Sequence, residues 1–258
     1  MIFAIDMGNT NIVLGCIEGE KIIFEERLST DINKTSLEYA IVFKNLFELY
    51  NIDNKAFRGA IISSVVPPLT DVIAEAVKKA TGKKAMIVGP GVKSGLNIKI
   101  DDPAQLGADL VTGAVAALAC YKPPMAVIDM GTATTISYIN SKGQFCGGPV
   151  IPGVATAVGS LVSATSQLVK ISLMPPKHVI GTNTVDSMKS GAVYGNAAMI
   201  DGMIDRMEEE TGEKLNVIAT GGIANVVIPF CKRKIVIDDF LLLKGLKIIF
   251  DRNYKERS

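Results

Sequence analysis

Ile5-Asp6-Met7-Gly8 and Ile128-Asp129-Met130-Gly131 are the same four residues in the same order, and the second copy opens near the middle of the 258-residue chain. Each copy closes an apolar run with an aspartate. Each is followed by small polar residues (Asn9-Thr10, Thr132-Ala133) and then by a second β-rich stretch, 12–14 in one half and 134–138 in the other. That order reads as strand, tight glycine turn, strand: a hairpin with a carboxylate at the end of its first strand. One such turn is ordinary. Two at matched positions predict a duplicated chain of two similar α/β halves, 1–115 and 116–258.

The elements around the two hairpins fit this. In the first half, 12–17 and 21–28 extend the hairpin into a meander that turns at Glu18-Gly19-Glu20. Thr35 with Glu38 forms a capping box, and Ile41, Val42, Leu46, Leu49 and Tyr50 form a helical stripe behind it. A strand over 59–64, a break at Pro67-Pro68, a helix over 69–81 stopped by Gly82, and a strand over 84–88 follow. A helix over 107–120 links the halves. The second half predicts a meander completed by 143–150, helices over 153–166 and 185–211, a strand over 215–220 and a last helix over 241–252.

Composition excludes several classes of function. With 27 Lys+Arg against 26 Asp+Glu the formal net charge is +1, which gives no electrostatic footprint for nucleic acid or an anionic membrane. No apolar run approaches the length of a membrane span. The opening residues have an acid at position six and no basic region, so they do not read as a signal peptide, and the expectation is a cytoplasmic protein. Cys16, Cys120, Cys146 and Cys231 are too scattered for a zinc site or disulfide framework. The single histidine, His178, follows Pro175-Pro176-Lys177 and reads as a surface-loop residue, so chemistry must rest on carboxylates, backbone amides and bound ions.

A carboxylate at a strand end, followed by glycine and then hydroxyl or amide side chains, suits a metal–nucleotide phosphate site. Glycine lets the backbone approach phosphate oxygens, and Asn9, Thr10, Thr132 and Thr134 offer donors. Asp6 and Asp129 are expected to face each other and hold cations, directly or through water. Thr220-Gly221-Gly222, closing a strand and opening a helix, leaves room for a purine or ribose against bare backbone. This order of turns resembles the actin, hexokinase and Hsp70 ATPase superfamily, implying two duplicated ribonuclease-H-like (actin-like ATPase) domains with mixed sheets flanked by helices. No GxxxxGK[ST] phosphate loop is present.

A closer resemblance runs along the whole chain. Asp6-Met7-Gly8-Asn9-Thr10-Asn11, Ser63-Ser64-Val65-Val66-Pro67, Gly107-Ala108-Asp109, Asp129-Met130-Gly131-Thr132-Ala133-Thr134-Thr135, Gly147-Gly148-x-x-Ile151-Pro152-Gly153, Asn183-Thr184 and Leu243-Lys244-Gly245-Leu246 together resemble the type III pantothenate kinases. The resemblance implies ATP-dependent phosphorylation of pantothenate, the first step of coenzyme A synthesis, by a cytoplasmic homodimer using ATP with Mg2+ and a monovalent cation, K+ or NH4+. It implies that Asp6, Met7, Gly8, Asn9, Thr10, Asn11, Ile12 and Val13, with Thr132, contact the nucleotide; Gly221 and Gly222 join them on the backbone argument above. It further implies that Asp129 is the monovalent-cation ligand, with Asp6 the second cation carboxylate on the strand-end argument above. Asp109 becomes the catalytic base, within a substrate segment of Gly107, Ala108, Asp109 and Leu110, with Ile100 and Thr184 as further substrate contacts. On the residues alone, Asp109 equally suits a cap for the helix that begins there.

Three positions depart from the family pattern. Leu110 stands where an arginine is usual, Ile100 where an aromatic is common, and Thr182 where a basic residue often precedes Asn-Thr. Pantothenate is a carboxylate, and one lost guanidinium contact costs roughly 1.5–3 kcal/mol. A regulatory homologue without catalysis, or a kinase for a related small hydroxyl compound, are the alternative readings. The methionines at 188, 199, 203 and 207 read as core or, alternatively, as a dimer face.

Overall fold

The computed structural model describes residues 1–254. The first copy of the repeat ends β1 (Ile2–Met7), which pairs antiparallel with β2 (Asn11–Glu18); β2 in turn pairs antiparallel with β3 (Lys21–Ser29). On its other side β1 runs parallel to β4 (Gly59–Ser64), and β4 to β5 (Ala85–Ile87), giving the order β3-β2-β1-β4-β5.

Every residue of β1 is buried because both faces of this sheet are covered. Phe3, Ile5 and Met7 join a core with Phe43, Phe47, Leu69, Ile73 and Val77 from the helices Ser36–Leu49 and Pro67–Thr81. The Phe3 ring meets Phe43 and Phe47 edge-on at 5.2 and 5.0 Å, an arrangement worth about 0.5–1.5 kcal/mol per pair beyond area burial. Ile2 and Ala4 point the other way, into a core with Leu243, Leu246, Ile249 and Phe250 of the helix Leu241–Asn253. That helix lies against bare backbone. A Cβ on Gly15 would stand 2.7 Å from Leu243, and one on Gly59 2.6 Å from Phe250.

The second copy repeats the plan. β6 (Asn97–Ile98), β7 (Met125–Met130), β8 (Ala133–Ile139), β9 (Gln144–Gly147), β11 (Asn216–Thr220) and β12 (Val236–Ile237) order as β12-β11-β7-β8-β9-β6, with β10 (Val150–Pro152) added on β8. Within it, β9-β8-β7 is an antiparallel meander, and β11 and β12 are parallel to β7, matching β3-β2-β1-β4-β5 strand for strand. Its core joins Ala126, Ile128, Met130 and Ile136 to Ile200 and Ile204 of the helix Asn196–Thr211. Met199, Met203 and Met207 pack against this core.

Four expectations differ from what forms. Pro67 and Pro68 open their helix instead of breaking the chain before it, since a first-turn proline loses no hydrogen bond. The stretch 143–150 splits into β9 and β10 around Gly147 and Gly148, both at positive φ. The long helix expected over 185–211 is divided by a wider five-residue turn, Gly191–Gly195. The halves 1–115 and 116–258 differ from the compact units. Among the described residues, one unit holds Met1–Leu96, Asp102–Ala116 and 241–254; the other holds Asn97–Asp101 and Ala117–Phe240. The last helix joins the first unit because its apolar stripe fits the open face of the first sheet.

Candidate functional site

In the first unit the β1–β2 ladder ends at the pair Met7–Ile12, and the Gly8 N–H donates to the Asn11 carbonyl at 2.9 Å. Asn9, Thr10 and Asn11 are left exposed at the turn. The turn is held from just past β3: the Thr30 hydroxyl donates to the Gly8 carbonyl at 2.6 Å, and the Thr30 N–H to the Thr10 carbonyl at 2.9 Å. Tyr39 secures the next residues by donating its hydroxyl to the Asp31 carbonyl at 2.9 Å. Nothing in the sequence pointed to Thr30 or Tyr39, which reach the turn only through the meander. Met7 and Ile12 are buried in the helix-covered core, so within 6–13 those two face away from Asp6.

Asp6 is buried, in register with Val13 on one side and Ser63 on the other. Residues paired in register share a face. Ile61 sits with Ile2 and Ala4, while Ile62 sits with Phe3 and Ile5, so Ser63 and Asp6 look towards the side of the Leu241–Asn253 helix. The Ser63 hydroxyl is buried without a hydrogen-bond partner among the described residues.

Asp109 lies in the first turn of the helix Ala108–Cys120, where the helix dipole favours a carboxylate. Its Oδ1 accepts from the Leu110 N–H at 2.8 Å. The carboxylate folds back over Gly107, where a Cβ would stand 2.5 Å from Oδ1 and 3.8 Å from Val65, just past the end of β4. Burial pushes the Asp109 carboxyl above the ordinary aspartate value, partly offset by the backbone N–H groups of Leu110 and of Asp109 itself. Ala108, beside it, packs in the same core as Ile2 and Ala4, and Gly107 comes close to Val65 just past the end of β4. The capping role open from sequence is thus visible, and so is a half-buried carboxylate with a raised pKa.

In the second unit Asp129 is half-buried, in register with Thr135 and Thr220. The turn after it is held by other means. The Gly153 N–H and the Thr156 hydroxyl both donate to the Thr132 carbonyl, at 3.0 and 2.7 Å. Gly221 has φ +99°, and a Cβ there would meet the Met130 nitrogen at 2.6 Å and the Asp129 Oδ1 at 2.7 Å. The structure therefore brings Asp129, Thr132 and Gly221 together, with Gly222 next in the chain. Thr134 and Thr135 carry buried hydroxyls without partners among the described residues.

Thr184 and Ile100 lie elsewhere in this unit. Ile100 packs 3.6 Å from the Cβ position of Gly147. Thr184 begins a helix whose cap, Asn183, accepts from the Asp186 N–H at 2.9 Å. It lines a cavity of about 750 Å³ with Val154, Leu161, Thr182, Met188 and Asn196, and none of the other candidate residues lines it. Among the described residues no three His, Cys, Asp or Glu side chains cluster to cage a metal. No helix among them is long and apolar enough to cross a membrane.

Two sheets of this order, each ending a central hairpin strand in Asp-Met before a glycine turn, define the actin-like ATPase and sugar-kinase fold. Solved structures share it: a Baf family protein from Campylobacter jejuni has a TM-score of 0.60 at 18% identity over 97% of this chain and 98% of its own. The inorganic polyphosphate/ATP-glucomannokinase of Arthrobacter sp. strain KM has a TM-score of 0.52 at 15% identity over 98% and 99%. The family model for type III pantothenate kinase matches residues 2–206. The type III pantothenate kinases of Halalkalibacterium halodurans and Geobacter sulfurreducens are 43% and 40% identical over 253 residues, covering 98% of this chain and 100% and 99% of theirs. The chain belongs to the type III pantothenate kinase family.

Proposed function

We propose that this protein transfers the γ-phosphoryl group of ATP to the primary hydroxyl of pantothenate, giving 4′-phosphopantothenate and ADP, the opening step of coenzyme A synthesis. The observation that carries the reading, beyond family membership, is Asp109: a half-buried carboxylate with a raised pKa at the start of a helix whose first residue, Ala108, packs in the core that backs the Asp6 face of the sheet. The substrate oxygen forms a bond to the γ-phosphorus as the bond from that phosphorus to the β–γ bridging oxygen breaks. The hydroxyl proton passes to the Asp109 carboxylate, and ADP leaves with the bridging oxygen. A base positioned in this way contributes about 10²–10⁴-fold.

The turn Gly8-Asn9-Thr10-Asn11 is assigned to the triphosphate, with Thr132, Gly221 and Gly222 as nucleotide contacts in the second unit. Magnesium, when bound with the nucleotide, offsets triphosphate charge, and Asp6 is the carboxylate assigned to it. A partly hydrated ion held by one carboxylate and by phosphates needs no cage of protein ligands. Asp129, with the Thr135 hydroxyl beside it in register, is assigned to the monovalent cation. Gly107 to Leu110, Ile100 and Thr184 are assigned to pantothenate. A homodimer is the proposed assembly: Leu161, Met174, Val179 and Ile180 are large exposed apolar residues that a second copy would cover.

The test is pantothenate-dependent ADP formation, with the product identified by mass, with and without potassium, and with Asp109→Asn as control. Product that requires the cation and disappears in the variant supports the assignment. Absence of product from a folded, ATP-binding protein refutes it and turns attention to the substitutions at Leu110, Ile100 and Thr182.

A further inference from the structure

Ser63 poses a physical problem that the reaction scheme does not address. It is fully buried at the end of a parallel strand that is otherwise glycine, alanine and isoleucine up to that point, and its hydroxyl meets no partner among the described residues. Buried hydroxyls in native proteins are overwhelmingly bonded, and an orphan is destabilising relative to the alanine of the same shape. Its neighbour Ser64 shows the ordinary solution: that hydroxyl pairs with Thr70 at 2.8 Å and accepts from the Val66 N–H at 3.1 Å. Ser63 has no such arrangement. It stands in register with Asp6, on the face of the sheet that carries Asp6. In the second unit Asp129 also has a buried, orphaned hydroxyl in register, that of Thr135, there on the antiparallel neighbour. Each hairpin carboxylate thus has a spare hydroxyl beside it.

We propose that Ser63 is a positioning residue for the magnesium–nucleotide: its hydroxyl is the second protein oxygen, beside Asp6, that receives the hydrated cation. The proposal rests on the kinase reading and adds a residue to its metal site. Magnesium dehydrates reluctantly and is held through its waters, so a hydroxyl that finds its partner only in the loaded state suits the role.

The test compares wild type, Ser63→Ala and Ser63→Cys, which keeps the volume without a hard oxygen. Thermal unfolding without ligand is measured first, then titration with ADP alone and with ADP plus magnesium. Ser63→Ala is expected to match or exceed the wild-type Tm without ligand, because it removes an unpaired buried hydroxyl. Its Kd for magnesium–ADP should rise about tenfold, on the scale of a hydrogen bond to a charged group, with metal-free ADP binding unchanged. Ser63→Cys should weaken magnesium–ADP binding similarly. In steady state the KM for magnesium–ATP should rise while that for pantothenate stays. A magnesium–ADP Kd within twofold of wild type in Ser63→Ala overturns the proposal and leaves the kinase reading intact. If the wild type itself binds no magnesium–nucleotide, the kinase reading falls and this proposal with it.

Discussion

The two hairpins share a tetrapeptide and a sheet topology, yet they are built into their units differently. Asp6 is buried, and its turn is tied back by Thr30, just past the third strand of the same meander. Asp129 is half-buried, and its turn is tied by Gly153 and Thr156, which follow β10, a strand with no counterpart in the first unit. Next to Asp6 the parallel strand runs Ser63-Ser64 into a proline-started helix; next to Asp129 it runs Thr220-Gly221-Gly222. Duplication conserved where a carboxylate is placed. What surrounds it diverged, and with it, on the proposed reading, the division of labour: base and magnesium on the first unit, monovalent cation and nucleoside on the second.

The largest expected effect tests that division. Asp109→Asn should lower kcat by about 10²–10⁴-fold while magnesium–ADP binding persists. Burial raises the folded pKa of Asp109, so its ionised form costs stability at neutral pH. The variant should therefore unfold at a higher temperature than wild type at pH 7. That gain should vanish below the ordinary aspartate pKa, where the native carboxyl is already protonated. For the same reason the acid limb of kcat/KM should lie above the ordinary aspartate value. A variant that is less stable at pH 7 would favour the capping role over the catalytic one.

Gly221→Ala against Ser64→Ala compares the residues next after the parallel-strand partners of Asp129 and Asp6. A methyl group at Gly221 meets Asp129 and the Met130 backbone and demands a strained φ, at a cost of order 1–3 kcal/mol with loss of nucleotide-induced stabilisation. Ser64→Ala forfeits only the bonds to Thr70 and Val66, about 1 kcal/mol. Equal losses in denaturant melts would erase the distinction.

Acid stability should also be unequal. In the second unit, burial tends to raise the Glu208 carboxyl. The Leu215 N–H at 3.0 Å, Lys214 at 2.8 Å and Arg233 at 3.3 Å outweigh it and hold the pKa down to about 2. Glu208 therefore contributes stability present above its unfolded pKa and lost as pH falls from there towards about 2. Glu208→Gln should cost about 2–3 kcal/mol at neutral pH and flatten the acid limb of a pH–Tm curve. In the first unit Lys247 pairs with Glu20, which is almost fully solvated. Lys247→Met should move that limb little.

The smallest contrast is between the turn ties. Thr30→Val removes a part-buried bond to the Gly8 carbonyl and should cost about 1 kcal/mol with a higher KM for ATP. Thr156→Val removes an exposed one and should cost a few tenths. Chemical denaturation with steady-state kinetics checks both.

The chain determined by itself what depends on neighbours in sequence. The hairpins follow from apolar run, aspartate and glycine turn; the capping box at Thr35 and Glu38 forms as its spacing requires; and Gly82 ends its helix in the left-handed conformation. Asp6 and Asp129 were legible as strand-end carboxylates for the same reason. Only the tertiary structure decided that Leu243, Leu246 and Phe250, from the far end of the chain, complete the first unit, since an apolar stripe does not say which sheet it will cover. It alone brought Thr30 to the first turn and Ser63 beside Asp6, and turned the Asp109 carboxyl into a half-buried, raised-pKa group. Register, burial and desolvation come from residues distant in sequence, and those set the chemistry of a site whose residue types the sequence had already named.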